Sequence, residues 1–254
     1  MATQKRFTGK VALVTGAGRG IGRAIALTLA RQDAAVVVNS LHAANATAVA
    51  DEIRGGGGRA EASAADVSDE SQVKAMIDAA VRAMGSVHIL VNNAGILSTT
   101  QPVETIPATE WDHVMAVNVR SAFLCIKYVL PLMKAQRYGK IVNLASIAAR
   151  STAVLGGAHY TASKAAVLGL TRQAAHEVAA YNINVNAVAP GNTDTDMTRA
   201  VMTPEMVEGV KDRVPLGRRG MPQDVANLVA FLASEEASFI TGATIDINGG
   251  YLIL

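Results

Sequence analysis

The chain has 254 residues, of which 50% are hydrophobic, 17% are charged and 4% are aromatic. This profile is typical of a globular protein with an aliphatic core, and it excludes a disordered or fibrous chain. The formal net charge is +2 with acidic and basic residues dispersed, so no basic stripe indicates a nucleic-acid partner.

The cysteine content and the N-terminal segment limit the possible disulfides, metal sites and cellular location. Cys125 is the only cysteine, which excludes an internal disulfide and a multi-cysteine zinc site, and its apolar neighbours predict burial. The histidines show no metal-ligand spacing, so no metal is expected. Residues 1–10 lack the apolar stretch of a signal peptide, and no apolar run is expected to span a membrane. We therefore expect a cytoplasmic protein without a membrane contact.

Strand and helix patterns alternate along the chain. Predicted strands lie at 10–15, 35–38, 59–63, 87–91, 140–144, 184–189 and 243–247. Predicted helices lie at 24–30, 43–54, 70–84, 109–133 and 223–233, with another that opens at Tyr160. This order predicts a single-domain α/β Rossmann fold over residues 1–254, a doubly wound parallel seven-stranded sheet with helices on both faces.

The turn after the first predicted strand is rich in glycine. Gly16, Gly18, Gly20 and Gly22 let the backbone approach a ligand, and the helix N-terminus that they open favours an anionic pyrophosphate. The spacing of the first, third and fourth of these glycines is G-x-x-x-G-x-G, not the more familiar dinucleotide fingerprint. A dinucleotide site and an ordinary glycine-rich turn are both compatible with this motif alone.

The end of the second predicted strand bears on the choice of cofactor. Asn39 and Ser40 stand where an acidic residue would bind the ribose 2′-hydroxyl of NAD. The missing carboxylate removes a charge that would repel a 2′-phosphate, and Arg19 in the glycine turn is able to pair with one. NADP(H) is therefore favoured over NAD(H), although Asn39 can also hydrogen-bond a plain ribose.

The stretch 146–164 places a hydroxyl, a phenol and an amine where they can act on one carbonyl. Tyr160 and Lys164 are four residues apart on a predicted helix, so they share one face. A fixed ammonium nearby is expected to lower the pKa of the tyrosine. Ser146 follows the fifth strand, where open parallel sheets place ligands. For the tyrosine and lysine alone, a surface pair at helical spacing is the alternative.

Other polar positions suggest further parts of a site. Asn92-Asn93-Ala94-Gly95 ends the fourth strand and predicts either a locked backbone beside a ligand or a simple turn. Asn118 lies among apolar residues and needs partners if it is buried, in packing or in function. The polar stretch 192–222 after Pro190-Gly191 is long enough to predict a lid.

Assembled in order, these blocks resemble the short-chain dehydrogenase/reductase family over essentially the whole chain. The resemblance rests on Thr15-Gly16 with Gly20 and Gly22, Asp66-Val67, Asn92-Asn93-Ala94-Gly95, Asn118, Ser146, Tyr160 with Lys164, Pro190-Gly191 and Thr195. It implies an NAD(P)-dependent oxidoreductase that transfers a hydride between nicotinamide and a carbonyl or secondary alcohol. A non-catalytic dinucleotide sensor is the remote alternative.

The resemblance also implies a role for each site residue. Tyr160 would be the general acid in reduction, and Ser146 would hydrogen-bond the substrate oxygen. Lys164 would hold the nicotinamide ribose and depress the tyrosine pKa, and Asn118 would anchor a water in a proton relay. The residues implied to bind the cofactor are Gly16, Gly18, Arg19, Gly20, Ile21, Gly22, Asn39, Ser40, Asp66, Val67, Asn93, Ala94, Gly95, Tyr160, Lys164, Pro190, Gly191, Thr193 and Thr195.

Two departures from the family pattern affect the loop over the substrate. The interval from Ser146 to Tyr160 is one residue longer than is usual in the family and contains Gly156-Gly157. The segment 143–145 also lacks a second serine that is common there. His159 points about 100° away from its neighbour on a helix, which predicts a place at the pocket edge or in packing.

The C-terminal third bears on substrate and partners. Its blocks between residues 189 and 250 look like those of 3-oxoacyl-[acyl-carrier-protein] reductases, and Arg137, Lys140 and Arg172 would offer a basic patch to an acidic carrier protein. Relatives that act on free alcohols, sugars and ketones share these blocks, so a stereoselective alcohol or ketone dehydrogenase stays open. The resemblance further implies a homotetramer, with the apolar tail 251–254 at a subunit contact.

Overall fold

Seven parallel strands form one sheet in the computed structural model, which describes residues 5–153 and 155–254. They are β1 Val11–Val14, β2 Ala35–Ser40, β3 Ala60–Ala64, β4 Ile89–Asn92, β5 Gly139–Leu144, β6 Ile183–Pro190 and β7 Thr244–Ile247. The spatial order is β3-β2-β1-β4-β5-β6-β7, with every neighbouring pair parallel. The order reverses between β1 and β4, which opens a crevice at the carboxyl ends of these strands. The predicted fold class is confirmed.

Helices cover both faces of this sheet. They are α1 Gly20–Arg31, α2 Ala43–Gly55, α3 Glu70–Met84, α4 Ala108–Met115, α5 Ser121–Gln136, α6 Gly157–Val178, α7 Asp196–Arg199, α8 Pro204–Arg213 and α9 Pro222–Leu232. Alternate residues of β1 face opposite ways, so Ala12 and Val14 pack with α1, α2 and α9, while Val11 and Leu13 pack with α3, α5 and α6. Burial on both faces explains the nearly continuous apolar runs of β1, β2 and β4.

The helix predicted over residues 109–133 differs from expectation. A π-helical stretch, Ala116–Arg120, joins α4 to α5, and the whole run extends over Ala108–Gln136. Among the described residues it is the one helix long and apolar enough to cross a membrane by length and composition, which corrects the expectation that no such run exists. Its most apolar window is 44% buried, and α5 packs on α3 and β4 as a core helix does.

Other boundaries shift by a few residues, and two differences bear on the site. The predicted helix at Tyr160 begins earlier, at Gly157. The stretch 192–222, predicted as a polar lid, contains α7 and α8, which the sequence analysis did not identify as helices, and each is capped by a threonine. The expectation of no signal peptide rests partly on residues 1–4, which lie outside the described residues.

Candidate active site

Two cavities meet at the carboxyl end of the sheet. One follows the crevice over β1, β2 and β4, and the other lies between β5 and the stretch 192–213; each has a volume of about 480 Å³. Ser146 and Tyr160 line both cavities, as do Gly191, Met197 and Thr198. We refer to the first as the cofactor cleft and to the second as the substrate cavity. A group in one cavity is thereby able to reach a group in the other beside the serine and the tyrosine.

The residues predicted to bind a cofactor are brought together by the fold. All of them line the cofactor cleft: Gly16, Gly18, Arg19, Gly20, Ile21, Gly22, Asn39, Ser40, Asp66, Val67, Asn93, Ala94, Gly95, Tyr160, Lys164, Pro190, Gly191, Thr193 and Thr195. They come from the ends of β1, β2, β4 and β6, from the segment that follows β3, and from the first turns of α1 and α6. Their individual contacts with a cofactor stay predictions.

The glycine turn is held against the end of β4 by side chains. The Thr15 hydroxyl oxygen accepts hydrogen bonds from the backbone N–H groups of Asn93 at 3.0 Å and Ala94 at 3.1 Å. Asn93 in turn donates its amide to the carbonyls of Thr15 at 2.9 Å and Gly16 at 3.0 Å. Gly16 has φ +61°, and a Cβ on it would lie 2.8 Å from Ala94 Cα, so no other residue fits without movement. This cradle fits the close approach of a pyrophosphate.

Asn39 shapes the adenosine end of the cleft. The residue is buried, and its side-chain oxygen accepts the N–H of Gly16 at 3.3 Å. Its amide donates to the carbonyls of Ser63 at 3.3 Å and Ala65 at 3.2 Å, which uses both amide hydrogens. The predicted ribose contact of Asn39 is therefore restricted to the remaining lone pair of its oxygen. The neighbouring hydroxyl of Ser40 also lines the cleft.

Tyr160 is held in a protonated state. Burial raises its pKa, and a hydrogen bond with the Ser146 side chain opposes that rise without cancelling it. The expected lowering by Lys164 is wrong for this arrangement, because the lysine nitrogen lies 5.8 Å from the phenol ring centre and desolvation dominates. The Ser146 oxygen also accepts the N–H of Ala148 at 3.1 Å, which orients its hydroxyl.

Lys164 is a buried cation on α6. Its side chain is drawn toward β5, where Nζ donates to the carbonyl of Leu144 at 2.9 Å. Burial lowers its pKa to about 8, because the ammonium loses hydration that one carbonyl does not replace. An oxygen-rich group in the cofactor cleft would stabilise this ammonium by replacing part of its lost hydration.

Asn118 lies behind the site rather than in it. The side chain belongs to the π-helical stretch and is buried, and it lines neither cavity. Its oxygen accepts the N–H of Ile96 at 2.8 Å, and its amide donates to the Ile96 carbonyl at 3.0 Å and to Ser163 Oγ at 3.1 Å. Asn118 thus ties the loop after β4 to α6. Its predicted role as a water anchor stays a prediction.

The substrate cavity was not foreseen in detail from the sequence. Its walls are mainly apolar, with Leu97 and Leu155 on one side and the lid methionines Met197, Met202 and Met206 on the other. The three methionines recur within one polar stretch, which was the only signal for them. Flexible thioether side chains of this kind adapt to varied apolar ligands.

Other sequence expectations have clear outcomes. Cys125 is buried, which raises the pKa of its thiol to about 12. His159 is buried in packing, as expected. Lys140, however, is only 2% exposed on β5, with Nζ 2.8 Å from Asn184 Oδ1 and 3.7 Å from a Glu235 oxygen. The predicted basic patch is wrong for Lys140, because this charge is satisfied inside the molecule.

The chain matches a known protein family over most of its length. A family model described as "Enoyl-(Acyl carrier protein) reductase" matches residues 16–252, which is most of the chain. The chain belongs to the short-chain dehydrogenase/reductase family. It is an NAD(P)-dependent oxidoreductase, and the expectations of family and enzyme class are confirmed.

Individual relatives are similar over nearly their whole length. A 3-oxoacyl-[acyl-carrier-protein] reductase of Staphylococcus aureus is 46% identical over 95% of this chain and 97% of its own. A crystal structure of such a reductase from Brucella melitensis with bound NAD is 36% identical with a TM-score of 0.92, covering 99% of this chain and 95% of that one. A 7α-hydroxysteroid dehydrogenase in complex with NADH and a 7-oxo bile acid is 38% identical with a TM-score of 0.94, covering 98% and 97%.

Proposed function

We propose that the protein reduces the 3-oxo group of an acyl chain carried on acyl-carrier protein, with NADPH as the reductant. The observation that carries this proposal is the apolar substrate cavity of about 480 Å³ that joins the cofactor cleft at Ser146 and Tyr160. An acyl chain needs an apolar enclosure, and its carbonyl needs hydrogen-bond donors at the junction with the nicotinamide. The similarity to 3-oxoacyl-[acyl-carrier-protein] reductases supports the same substrate.

The proposed chemistry divides between the cofactor and three side chains. When bound, the nicotinamide supplies the hydride. Tyr160 donates its phenolic proton to the carbonyl oxygen, and the raised pKa keeps that proton in place at neutral pH. Ser146 donates a hydrogen bond to the same oxygen as negative charge develops on it. The Lys164 ammonium would hold the nicotinamide ribose, and Asn118 with Ser163 holds the helix that carries the tyrosine and the lysine.

The preference for NADPH rests on the end of β2. No carboxylate stands at Asn39 or Ser40 to bind a free 2′-hydroxyl, and the exposed Arg19 lines the cofactor cleft. An arginine fork pairs well with a phosphate, which only NADP carries at this position. His42 and Asn45 line the same end of the cleft and add polar groups that the sequence analysis did not single out.

The stretch 192–222 is proposed as the lid of the substrate cavity. Arg219 binds its two ends together, with Nε 2.6 Å from Asn192 Oδ1 and Nη1 3.0 Å from Asp194 Oδ1. The third guanidinium nitrogen, Nη2, donates to Thr198 Oγ1 at 2.8 Å. The part of the lid between these ends, which includes α7 and α8, supplies the methionines of the cavity.

The proposed partners and setting follow from the same function. Arg137 and Arg172 are exposed and support contact with an acidic carrier protein, whereas the buried Lys140 does not take part. A cytoplasmic homotetramer is the proposed form of the enzyme. The exposed apolar side chains of Ile253 and Leu254 support a subunit contact at the tail.

The test of the proposed function is absorbance at the nicotinamide band. NADPH and NADH are each offered with a 3-oxoacyl thioester and with a panel of ketones that includes a 7-oxo bile acid. We expect thioester reduction with NADPH, and we expect Tyr160→Phe to lose at least about 10²-fold in kcat while it retains NADPH binding. Turnover of ketones alone would assign the protein to the alcohol and ketone dehydrogenases. Undiminished kcat in Tyr160→Phe would overturn the mechanism.

A further inference from the structure

A buried histidine stands beside the proposed proton donor, and the mechanism above does not use it. His159 is fully buried, and its Nε2 lies 3.1 Å from Glu110 Oε1 on α4. Its Nδ1 lies 3.5 Å from Ser98 Oγ in the loop after β4. One imidazole therefore contacts two elements that are distant in sequence from its own helix.

The hydrogen-bond partners fix the direction of the main contact. A bond from His159 holds the pKa of Glu110 below its usual range, as does a bond from Gln101, whose Nε2 lies 2.8 Å from Glu110 Oε2. Glu110 is then a carboxylate, which only accepts hydrogen bonds, so His159 Nε2 carries the hydrogen. The carboxylate is thereby shared between α6 and the loop that contains Gln101.

The same loop is attached to the residues just before His159. Ser98 Oγ donates to the Gly156 carbonyl at 3.1 Å, and the Gly156 N–H donates to Thr100 Oγ1 at 2.9 Å. Gly156 has φ +94° and Gly157 has φ +64°, which a residue with a side chain rarely adopts. The glycine pair turns the lengthened Ser146–Tyr160 segment into α6, and the loop after β4 holds the turn.

This turn lies directly against the proposed proton donor. A Cβ on Gly156 would stand 2.9 Å from both Cβ and Cγ of Tyr160, and 2.7 Å from Leu97 of the substrate cavity. Little free space therefore lies between the turn, the tyrosine side chain and the cavity wall. The loop is also fixed at its other end, where Asn118 binds both backbone groups of Ile96.

We propose that His159 and Glu110 form a positioning pair that holds the start of α6, and with it the Tyr160 phenol, in the geometry for proton transfer. The inference rests on the proposed role of Tyr160 and not on the identity of the substrate. His159 touches neither cavity, so it acts through the tyrosine and takes no part in the chemistry.

The test compares kcat, KM and NADPH binding in a matched set of variants. We expect His159→Leu to lose about 10- to 100-fold in kcat, because small displacements of a reacting group are costly, with the NADPH Kd changed less than about twofold. His159→Gln restores most of the rate, since its amide can replace the Nε2–H donor to Glu110. His176→Leu is the control, being the same substitution at an exposed position of α6.

Glu110, the hydrogen-bond partner of His159, provides an independent test of the pair. Glu110 is 31% exposed, so Glu110→Ala is tolerated by the fold more readily than a change at a fully buried site. It should reproduce the loss in kcat, and the double variant His159→Leu/Glu110→Ala should be little slower than either single one. Circular dichroism and NADPH binding establish that each variant is folded, and Glu110→Ala carries the test if His159→Leu is not.

The outcomes separate this inference from the proposed function. The assay uses NADPH with a 3-oxoacyl thioester of N-acetylcysteamine, or with a cyclic ketone if only ketones are turned over, and Tyr160→Phe is run beside the other variants. Wild-type kcat in His159→Leu and Glu110→Ala, with Tyr160→Phe inactive, would overturn the positioning pair alone. A His159→Gln variant as slow as His159→Leu would overturn it as well. Full activity in Tyr160→Phe would overturn the proposed function itself.

Discussion

Lys164 shows how one buried cation makes stability depend on pH. Its pKa is lowered from 10.5 to about 8 by burial, so the folded protein releases this proton at lower pH than the unfolded chain. Below pH 8 the lysine is charged in both states and the full cost of burying the charge is present. Between pH 8 and 10.5 the unfolded chain binds more protons, so the free energy of unfolding rises with pH through that window.

We expect Lys164→Met to remove this dependence. Urea denaturation of both proteins at pH 7.5 and 9.5, at one protein concentration, gives the difference between their unfolding free energies. The unfolding free energy of the wild type minus that of the variant should be about 2 kcal/mol larger at pH 9.5 than at pH 7.5. The two pKa values limit the total change to roughly 3 kcal/mol. A difference that does not change with pH would show that Lys164 keeps its ammonium well solvated.

Gly16 allows a second prediction at the level of a single residue. Its φ of +61° and the 2.8 Å from a built Cβ to Ala94 Cα leave no space for a side chain. We expect Gly16→Ala to widen the turn, weaken NADPH binding by at least about tenfold and destabilise the fold by about 1–3 kcal/mol. The control is Gly169→Ala on α6, where a Cβ meets nothing within 4 Å and a helical alanine is favourable. Equal NADPH affinity in Gly16→Ala and wild type would contradict the assignment of the turn.

Among the elements, the lid carries two adjacent arginines of unequal burial. The Arg219 side chain is 9% exposed and bonds to Asn192, Asp194 and Thr198, whereas Arg218 is 54% exposed and pairs with Asp224 at the start of α9. Loss of several buried hydrogen bonds is more costly than loss of an exposed ion pair. Asp194 keeps a partner in either case, because Arg199 also binds it.

We therefore expect Arg219→Met to open the lid and Arg218→Met to leave it nearly unchanged. If Arg219→Met lowers the free energy of local opening by about 1.4 kcal/mol, the segment is exposed tenfold more often. Proteolysis within residues 192–222 should then be at least about tenfold faster than in the wild type. Mass spectrometry of the first fragments locates the cut. Equal cleavage rates in the two variants would mean that Arg219 does not hold the ends of the lid together.

The elements also show which parts of the molecule could be predicted from the sequence. Strands such as β4 and helices such as α3 were found because their patterns are local: α3 begins at the Asp69 cap and ends at Gly85 in a left-handed conformation. The seven-stranded sheet and the cleft at its carboxyl end were predicted from the order of strands and helices along the chain. The π-helical stretch at Asn118 was not foreseen, since the loop contact that favours it comes from Ile96.

The main predictions that failed concern residues whose burial or protonation depends on partners distant in sequence. Lys140 was assigned to the surface because lysine usually is exposed, but its side chain is buried on β5, where Asn184 and the exposed Glu235 contact its ammonium. The direction of the Tyr160 pKa was missed because the helical spacing to Lys164 says nothing about desolvation. Both failures concern the cost of burial, which no local pattern reports.

At the scale of the whole molecule, the exposed apolar side chains point to association. Among the described residues, β7 pairs with β6 alone and forms an edge of the sheet. Phe239 before it is fully exposed, and Ile253 and Leu254 after it are 83% and 76% exposed. An edge strand flanked by exposed apolar groups is an unfavourable surface for a monomer, and the proposed tetramer would cover it.

We expect Ile253→Lys to shift the protein from tetramer toward smaller species, because a lysine would bring a charge into an apolar contact. Light scattering after size exclusion measures the mass at several protein concentrations, and the melting temperature of the wild type should rise with concentration while that of the variant rises less. Val103→Lys is the control, since Val103 is 70% exposed and lies far from the tail in sequence, in the segment between β4 and α4. A wild-type chain that is monomeric at every concentration would contradict the association, and a tetramer unaffected by Ile253→Lys would place the contact on another face.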